Sequence, residues 1–584
     1  MEKEPIPSDT AGHGHGVSVL DSQDREREGF PAGEAQEHSV DFAQDIYLTG
    51  GRLNIIRTAI LMALFISQME SSVTSTAVLA ITNDLGGYEH SPWLFTAYLL
   101  TYSGFPIIWA KISDIYGRKP CILLSFIIFL AFSGACGGAQ SMLQLIMFRW
   151  VKGIGGSGIY SLGTLVFWEL LPPEQWAANT SIVTGVLAGS LVVGPLVGGA
   201  ITESGMWRWI FYINIPIITV ASALLVVVFP NRLANEPAAS TASALQAPKP
   251  SALRRVDIIG GLFLLGLCLM LTTGLQQAAL GIPWSSSYVL PLLIAAAFFF
   301  IMLLLWSWYV TMKRTWPEPL FPWRFVTNRI SLGMMLNAFL AGFTFTVTVT
   351  QLPQRFITVN GLSPLAAGVR LLPFGVMVPV GAGASAVIMD RLKIPPTYMC
   401  VTGSTLQVIG LVFLSRVSGS MAIPASQYGL QIIVGYGNGL IQTAVILLIP
   451  YIFENRDLGW CTINYPLSYG GKAKDSLGVA NATIAQFRIL GGVIGIAVTT
   501  TASTPLIRAR MLKFLSTSQV LLLLDRTTAI WGLPSAVQDL VRHAFADGFN
   551  LQMRILIGIA AGHIVATALM WTKIPIRISR KGPA

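Results

Sequence analysis

Three charged side chains interrupt long apolar stretches of this sequence: Glu70 in QMESSVTSTAVL, Arg149 in LIMFRWVKGIGG and Arg370 in LAAGVRLLPFGV. An ionisable group surrounded by lipid is costly, so each of them is a candidate functional residue. Desolvation favours the neutral form of a carboxyl group, whereas a neighbouring guanidinium favours its charged form. The chemistry open to Glu70 is therefore proton uptake and release that depends on its surroundings.

Glu70 and Arg149 are predicted to lie at similar depth in a membrane. At about 1.5 Å per residue and with a hydrocarbon core about 30 Å thick, Glu70 lies roughly 22 Å and Arg149 roughly 21 Å from the inner surface. Arg370 falls at a comparable level. Proton uptake by Glu70 would weaken a pair with Arg149, which predicts a proton-coupling site. The alternative is a static ion pair that fixes two helices together.

The composition indicates a membrane protein. Of 584 residues, 53% are hydrophobic and 11% are charged, and apolar stretches of about 20 residues recur along nearly the whole chain. The formal net charge of +10 comes from basic residues in short loops, as expected for loops on the cytoplasmic side, so we expect no nucleic-acid partner. The sequence carries no metalloprotease, nucleophile-elbow or ATP-binding motif and no metal-ligand spacing. We therefore expect neither an enzyme nor a metal or cofactor.

Fourteen apolar segments are predicted to span the membrane. They begin near residues 55, 91, 121, 143, 177, 209, 257, 288, 331, 364, 397, 427, 478 and 551. The excess of basic residues on one side predicts that both termini are cytoplasmic. The predicted organisation is a disordered cytoplasmic tail over 1–50, a six-helix bundle over 51–230, a cytoplasmic linker over 231–256, two inserted helices over 257–312, a second six-helix bundle over 313–575 and a cytoplasmic tail over 576–584.

An internal repeat supports the two halves. The segment WAKISDIYGRKP after the second span has a weakly similar repeat, SAVIMDRLKIPP, after the tenth span. Asp390 takes the place of Asp114 in this repeat. If the seventh and eighth spans are an insertion, the tenth span is the second helix of a second six-helix half. Parallel six-span halves are typical of transporters.

The segment GVLAGSLVVGPLVGGA contains five glycines and a proline within an apolar run. In lipid even glycine-rich segments stay helical, and small residues let two helices approach closely. The four-residue spacings predict one smooth packing face, with a kink where a proline interrupts it. The residues concerned are Gly185, Gly189, Gly194, Pro195, Gly198 and Gly199.

Four ordered motifs resemble those of the major facilitator superfamily. GPLVGG (194–199) matches the GPxxGG core of its antiporter motif, and SDIYGRKP (113–120) matches its cytoplasmic signature. RWVKGIGGSG (149–158) resembles its fourth-span motif, and WRWIFYINIP (207–216) resembles the junction before the sixth span of the fourteen-span drug:proton antiporters, especially their fungal branch. The resemblance covers about residues 55–575. It implies an all-α integral membrane fold with fourteen transmembrane helices in two six-helix bundles plus two inserted helices.

The resemblance also implies roles for particular residues. The family usually carries an aspartate at the Glu70 position and implicates the fourth-span arginine in proton coupling. Its cytoplasmic signature implies a conformational latch, with topology control as the alternative; the latch residues are Asp114, Gly117, Arg118, Lys119 and Asp390. The candidates for cavity lining or coupling are Asn214, Gln351, Arg370, Gln442 and Arg488. For Arg488, packing of its loop remains equally open.

The implied function is export of amphipathic organic compounds, such as drugs, toxins or a secondary metabolite, by proton antiport with alternating access. The energy source would be the proton gradient. A proton-coupled importer, for instance of siderophores, is the alternative on the same fold, although GPxxGG argues against it. We expect a monomeric, multi-pass protein of the plasma membrane, with the vacuolar membrane as the alternative location. Cavity-lining side chains decide the substrate, and the sequence does not identify it.

Overall fold

The computed structural model describes residues 50–86, 91–230, 257–279, 282–313, 319–453, 476–525, 530, 532–573 and 575–578. These residues form helices joined by short turns and loops. The predicted linker over 231–256 and the predicted tail over 1–50, except for its last residue, lie outside them. So does most of the predicted tail over 576–584.

The N-terminal helices (residues 50–230) begin and end as the turn residues of the sequence dictate. Pro106 begins a helix because it needs no hydrogen-bond partner for its nitrogen, and Gly117 ends that helix at a φ of 95°, a left-handed conformation that favours glycine. The bounds are α1 Gly50–Leu85, α2 Ser91–Gly104, α3 Pro106–Tyr116, α4 Arg118–Gly137, α5 Met142–Leu170, α6 Pro173–Glu203, α7 Trp209–Tyr212 and α8 Asn214–Val228.

Two further helices, α9 Ile258–Ala279 and α10 Val289–Lys313, occupy the predicted insertion. The C-terminal helices (residues 319–573) follow. Their bounds are α11 Arg324–Thr327, α12 Arg329–Thr358, α13 Pro364–Val369, α14 Leu372–Arg391, α15 Pro396–Leu414, α16 Ser426–Leu447, α17 Ile449–Phe453, α18 Ser476–Met511, α19 Thr517–Asp525 and α20 Ser535–Leu569.

Within the described residues, twelve helical segments are long and apolar enough to cross a membrane. The other two predicted spans differ for identifiable reasons. The second is divided at Phe105 into helices of 14 and 11 residues. The fourth, α5, has 29 residues, but Arg149, Lys152 and several glycines lower its hydropathy. The total of fourteen therefore stays a prediction.

The helix that contains the last predicted span begins earlier than that span. Helix α20 begins at Ser535, well before residue 551. Its first turns, SAVQDLVRHAFADGFN, mix charged and apolar residues, so a search for a continuous apolar run passes over them.

Two helices, α6 and α18, make most of the contacts between the N-terminal and the C-terminal helices. Helix α6 packs on α13, α14 and α16, and α18 packs on α2, α3 and α5. Within the N-terminal helices α1 packs on α6 and α8, and α5 on α2 and α4; within the C-terminal helices α16 packs on α14 and α15, and α12 on α18 and α20. The pair α9 and α10 pack on each other, and α9 also contacts α2 and α18. The division into two bundles stays a prediction.

Candidate functional site: a buried charge cluster and a cavity between the halves

Glu70 of α1 lies at the centre of a fully buried charge cluster. Its Oε1 lies 2.9 Å from Arg149 Nη1, and its Oε2 lies 2.8 Å from Lys152 Nζ. Asn214 Nδ2 donates a hydrogen bond of 2.9 Å to the same Oε2. All four side chains have an exposed fraction of 0%. One carboxylate therefore joins α1, α5 and α8.

Local packing holds the two cations in place. Arg149 and Lys152 are three residues apart on α5, which puts both on one face of the helix. Arg149 Nη1 donates to Thr74 Oγ1 at 2.9 Å, and its Nε donates to the Leu94 carbonyl. The Phe211 ring lies 5.7 Å from the Arg149 guanidinium and 5.0 Å from Lys152 Nζ. Cation–π contacts thus add to the ion pairs.

The cluster contains two basic side chains and one acidic side chain. Two cations share one carboxylate, and Arg149 Nη2 has no hydrogen-bond partner among the described residues. The predicted contact between Glu70 and Arg149 is confirmed, and Asn214, predicted only as a cavity or coupling candidate, binds Glu70 directly. Lys152 is not among the residues predicted from the sequence. Its spacing from Arg149 in RWVK is the signal that points to it.

A second ionic cluster surrounds Arg118 at the junction of α3 and α4. Arg118 Nη1 lies 2.5 Å from Asp114 Oδ1, and its Nη2 lies 2.8 Å from Glu169 Oε1 near the end of α5. The predicted group of Asp114, Gly117 and Arg118 is thus brought together, and Glu169 is an additional member that the sequence analysis missed.

The Arg118 cluster lies against the start of α18. A Cβ atom added to Gly478, the third residue of α18, would lie 3.4 Å from Asp114 Oδ1. The buried Asp114 Oδ2 has no hydrogen-bond partner among the described residues. A helix N-terminus carries partial positive charge and unpaired N–H groups, which favour a nearby carboxylate. The cluster therefore joins the N-terminal to the C-terminal helices.

The other two predicted latch residues are bound elsewhere. Lys119 Nζ donates to the carbonyls of Val226 and Phe229, at 3.1 and 2.7 Å, at the end of α8. Asp390 Oδ1 lies 3.8 Å from Lys393 Nζ in the turn after α14. The structure thus pairs Asp390 with a residue three positions further along the chain, and its part in a latch stays a prediction.

The glycines of α6 do not form one face, which corrects the prediction. A Cβ added to Gly185 would lie 2.9 Å from Pro379 Cβ of α14, whereas one added to Gly194 would lie 3.1 Å from the Val73 nitrogen of α1. Nine residues are two and a half turns, so these glycines point to opposite sides of α6. No such contact lies within 4 Å for Gly189 or Gly199. Gly198 is buried, and Pro195 lies inside the helix.

A cavity lies between the N-terminal and C-terminal helices. Its empty volume is about 560 Å³, including space open to solvent. Helices α5 and α6 form one wall, and α16 and α18 form the other. The lining residues are Tyr160, Thr164, Phe167, Trp168, Trp176, Asn179, Thr180, Val183, Leu187, Ile446, Asn481, Ile484, Ala485 and Arg488.

Arg488 lines this cavity. Its Nη2 donates to the Tyr160 hydroxyl across the two halves, and its Nη1 donates to Gln442 Oε1 at 3.4 Å. Arg370 and Gln351 do not line it: Arg370 Nε donates to the Tyr428 hydroxyl at 3.1 Å, and Gln351 is half-buried on α12.

Three tyrosine rings connect the buried cluster to the cavity. The Arg149 guanidinium lies 5.3 Å from the Tyr98 ring centroid. The centroids of Tyr98 and Tyr102 are 5.4 Å apart, and those of Tyr102 and Tyr160 are 6.0 Å apart. The Arg488 guanidinium lies 5.4 Å from the Tyr160 ring. A continuous column of aromatic rings therefore runs between the two arginines.

The apolar helices, the intramembrane charges and the cavity between two groups of helices define a multi-pass membrane transporter. The described residues contain no group of three or more His, Cys, Asp or Glu side chains that could hold a metal ion. The family model of the Major Facilitator Superfamily matches residues 60–317.

Relatives along most of the chain define the family. The chain is 33% identical to the MFS-type transporter FPY5 of Fusarium mangiferae, over 93% of this chain and 86% of that protein. It is 30% identical to the efflux pump FUS6 of Gibberella fujikuroi, over 71% of this chain and 72% of that protein. The chain belongs to the major facilitator superfamily and is similar to its fungal efflux pumps. This membership confirms the prediction of a membrane transporter rather than an enzyme.

A solved structure supports the fold. The crystal structure of a bacterial homologue of the human lysosomal transporter Spinster superimposes with a TM-score of 0.53. The superposition covers 90% of this chain and all of that one at 13% sequence identity. The all-helical major facilitator fold that the motifs implied is therefore confirmed.

Proposed function

We propose that the protein exports amphipathic organic compounds in exchange for protons, by alternating access between its N-terminal and C-terminal helices. The observation that carries the proposal is the fully buried contact of Glu70 with Arg149 and Lys152. The name of one relative, an efflux pump, supports the direction of transport.

The charge balance of the cluster links protonation to movement. When Glu70 takes up a proton, Arg149 and Lys152 lose their shared counter-ion while remaining buried. Uncompensated buried charges cost several kcal/mol, and two like charges in a medium of low dielectric constant repel each other. The protonated cluster is therefore stable only if α1, α5 or α8 moves to admit water to the cations. A proton thus drives a change of conformation.

The tyrosine column supports coupling of this movement to the cargo. Tyr98 packs on Arg149 in the cluster, and Tyr160 binds Arg488 in the cavity wall. A displacement of α5, which carries Arg149, Lys152 and Tyr160, changes the cluster and the cavity together. Binding of cargo and binding of a proton can therefore exclude each other, as exchange of the two requires.

The remaining features of the proposal come from the sequence. We propose fourteen membrane crossings, with both termini cytoplasmic, in a monomer of the plasma membrane, the vacuolar membrane being the alternative. The proton gradient is the energy source, with no cofactor. The contact of Asp114 and Arg118 with α18 supports the cytoplasmic latch of the proposal.

The test is proton-driven transport by purified protein in liposomes. A panel of amphipathic fluorescent compounds is offered with and without a pH gradient, for wild type, Glu70→Gln and the exposed-site control Glu174→Gln. We expect at least one compound to move only with the gradient, and its rate to fall at least tenfold in Glu70→Gln and to stay unchanged in the control. Full gradient-driven transport by folded Glu70→Gln would contradict the coupling role.

A further inference from the structure

We propose that the cargo of the cavity is an organic anion with a planar apolar body, and that Arg488 binds its negative charge. This inference rests on the proposed export function and names the chemical class of the exported compound. It concerns the cavity alone, because the Glu70 cluster is sealed inside the N-terminal helices.

The position of the cavity is suited to a transported molecule, because its lining residues come from both groups of helices. Both halves contribute to its walls, and Asn481 of α18 donates a 2.9 Å hydrogen bond to Thr164 of α5 across it. A molecule held here contacts both halves, as the cargo of an alternating-access transporter must.

Arg488 is the one charged side chain among the described residues that line the cavity. The two acceptors that bind its guanidinium, the Tyr160 hydroxyl and Gln442 Oε1, are neutral. No carboxylate pairs with Arg488 in the part of the chain that the structure describes. An uncompensated cation inside a membrane protein is costly, and an anionic ligand would lower that cost, whereas a cationic ligand would raise it.

Neutral side chains behind Arg488 fix its position without cancelling its charge. Gln442 Nε2 donates to Asn438 Oδ1 at 2.6 Å, and Asn438 Nδ2 approaches Thr344 Oγ1 at 3.4 Å. The amide of Gln442 is therefore oriented with its oxygen towards the guanidinium. A guanidinium held in one orientation is suited to bind a planar carboxylate or phenolate.

The other walls of the cavity favour a planar ring. Trp168 and Trp176 meet edge to face with their centroids 5.2 Å apart, and Tyr160 and Phe167 add two further rings. Aromatic side chains arranged in this way pack against aromatic or conjugated ligands. The positive charge of Arg488 and the aromatic rings that line the same cavity together match an anionic group on a flat apolar body.

The test compares three probes that share one aromatic body and differ in charge: 1-pyrenebutyric acid, 1-pyrenebutanol and 1-pyrenebutylamine. Their binding to the full chain in lipid nanodiscs is followed by energy transfer from tryptophan to pyrene, with empty nanodiscs as the blank. We expect the acid to bind at least tenfold more tightly than the alcohol, and the amine to bind most weakly.

Three variants locate the source of this preference. Arg488→Gln should bind the acid about tenfold more weakly and no better than the alcohol, whereas Arg488→Lys should keep most of the preference because it keeps the charge. Arg370→Gln is the matched control, since Arg370 also donates to a tyrosine hydroxyl but does not line the cavity. Its probe affinities should equal those of wild type. Each variant must elute as a monodisperse peak before it is compared.

Equal affinity for acid and alcohol, binding of neither, tighter binding of the amine, or a preference that persists in monodisperse Arg488→Gln would each overturn the inference. Transport of the same probes separates it from the proposed function. If only the alcohol or the amine is transported, and its transport depends on the gradient and on Glu70, the export function is supported and the anionic cargo is refuted. Binding of the acid through Arg488, with no gradient-driven transport of any probe or compound, would refute export and keep the site.

Discussion

Glu70 serves two cations at once, Arg149 and Lys152, and all three side chains are fully buried. The stability of this cluster depends on its total charge rather than on any single contact. Removing the carboxylate leaves two buried cations, whereas removing Lys152 leaves a balanced pair. Because Lys152 Nζ lies 4.9 Å from the Phe129 ring, a methionine at this position would keep favourable aromatic contacts.

We predict that Glu70→Gln lowers the free energy of unfolding by about 3–5 kcal/mol, the usual cost of removing one partner of a buried pair. Lys152→Met should change it little. The double variant Glu70→Gln, Lys152→Met restores the charge of the wild-type cluster, so its apparent melting temperature in detergent should recover towards wild type while gradient-driven transport stays lost. A double variant that melts no higher than Glu70→Gln alone would show that charge balance is not the cause.

The sequence predicts only part of this site. Glu70 and Arg149 are predictable because ionisable residues are rare in apolar segments. Lys152 is fully buried and the Glu169 side chain is 11% exposed, and each lies in a charge cluster. Their partners come from other helices, which no local pattern identifies. Arg370 has the same sequence signal as Arg149, yet it binds Tyr428 near the start of α16. A charged residue within an apolar segment is recognisable from the sequence, but the sequence does not identify the partner of that residue.

At the scale of single elements, helix α6 contains glycines that belong to one sequence motif but differ in their packing contacts. The resemblance treats Gly194 and Gly199 as parts of one antiporter motif. In the structure a Cβ at Gly194 would meet Ser72 Cβ at 3.0 Å and the Val73 nitrogen at 3.1 Å, whereas one at Gly199 has no such contact within 4 Å. The two positions should therefore respond differently to the same substitution.

We predict that Gly194→Ala destabilises the protein by about 1–3 kcal/mol, the usual cost of overpacking, because a backbone atom of α1 cannot yield. Gly199→Ala should be neutral or slightly stabilising, since alanine favours a helix. Thermal unfolding of both variants in detergent checks this. Equal loss of stability in the two variants would indicate that the motif acts as one unit. It would contradict the view that the contacts of each glycine decide the effect.

The sequence predicts the bounds of the helices more accurately than it predicts which side of a helix packs on a neighbouring helix. Continuous apolar runs predicted α9 and α10 to within a few residues, since length and hydropathy decide which segments enter lipid. The polar start of α20 was missed for the same reason. The sides of α6 were predicted wrongly because a four-residue spacing was extended across the five-residue step from Gly189 to Gly194.

At the scale of the whole molecule, the ionic cluster of Asp114, Arg118 and Glu169 connects three N-terminal helices to the first turn of α18. Lys119 follows Arg118 in the same signature but binds the carbonyls at the end of α8, which belongs to the N-terminal helices. If the signature is a latch between the halves, the two neighbouring basic residues should have different effects.

We predict that Arg118→Ala reduces gradient-driven transport more than tenfold at normal protein levels, because Asp114 and Glu169 are left without their shared cation and the contact with α18 is disturbed. Lys119→Ala should keep at least half of the wild-type rate. Transport into liposomes, normalised to the amount of inserted protein, measures both. Equal losses would indicate that the basic pair sets topology rather than acting as a latch.

The positive charge of Arg488 favours an anionic cargo. The charge of the cargo determines how much energy the membrane potential contributes to the transport cycle. If one proton enters for each monoanion that leaves, two elementary charges move in the same electrical sense. A membrane potential that is negative inside then favours both movements, by about 4.6 kcal/mol per 100 mV at about 2.3 kcal/mol for each charge. Such a pump would be electrogenic and would keep expelling its cargo where the external medium is not acidic, because voltage alone would supply the force.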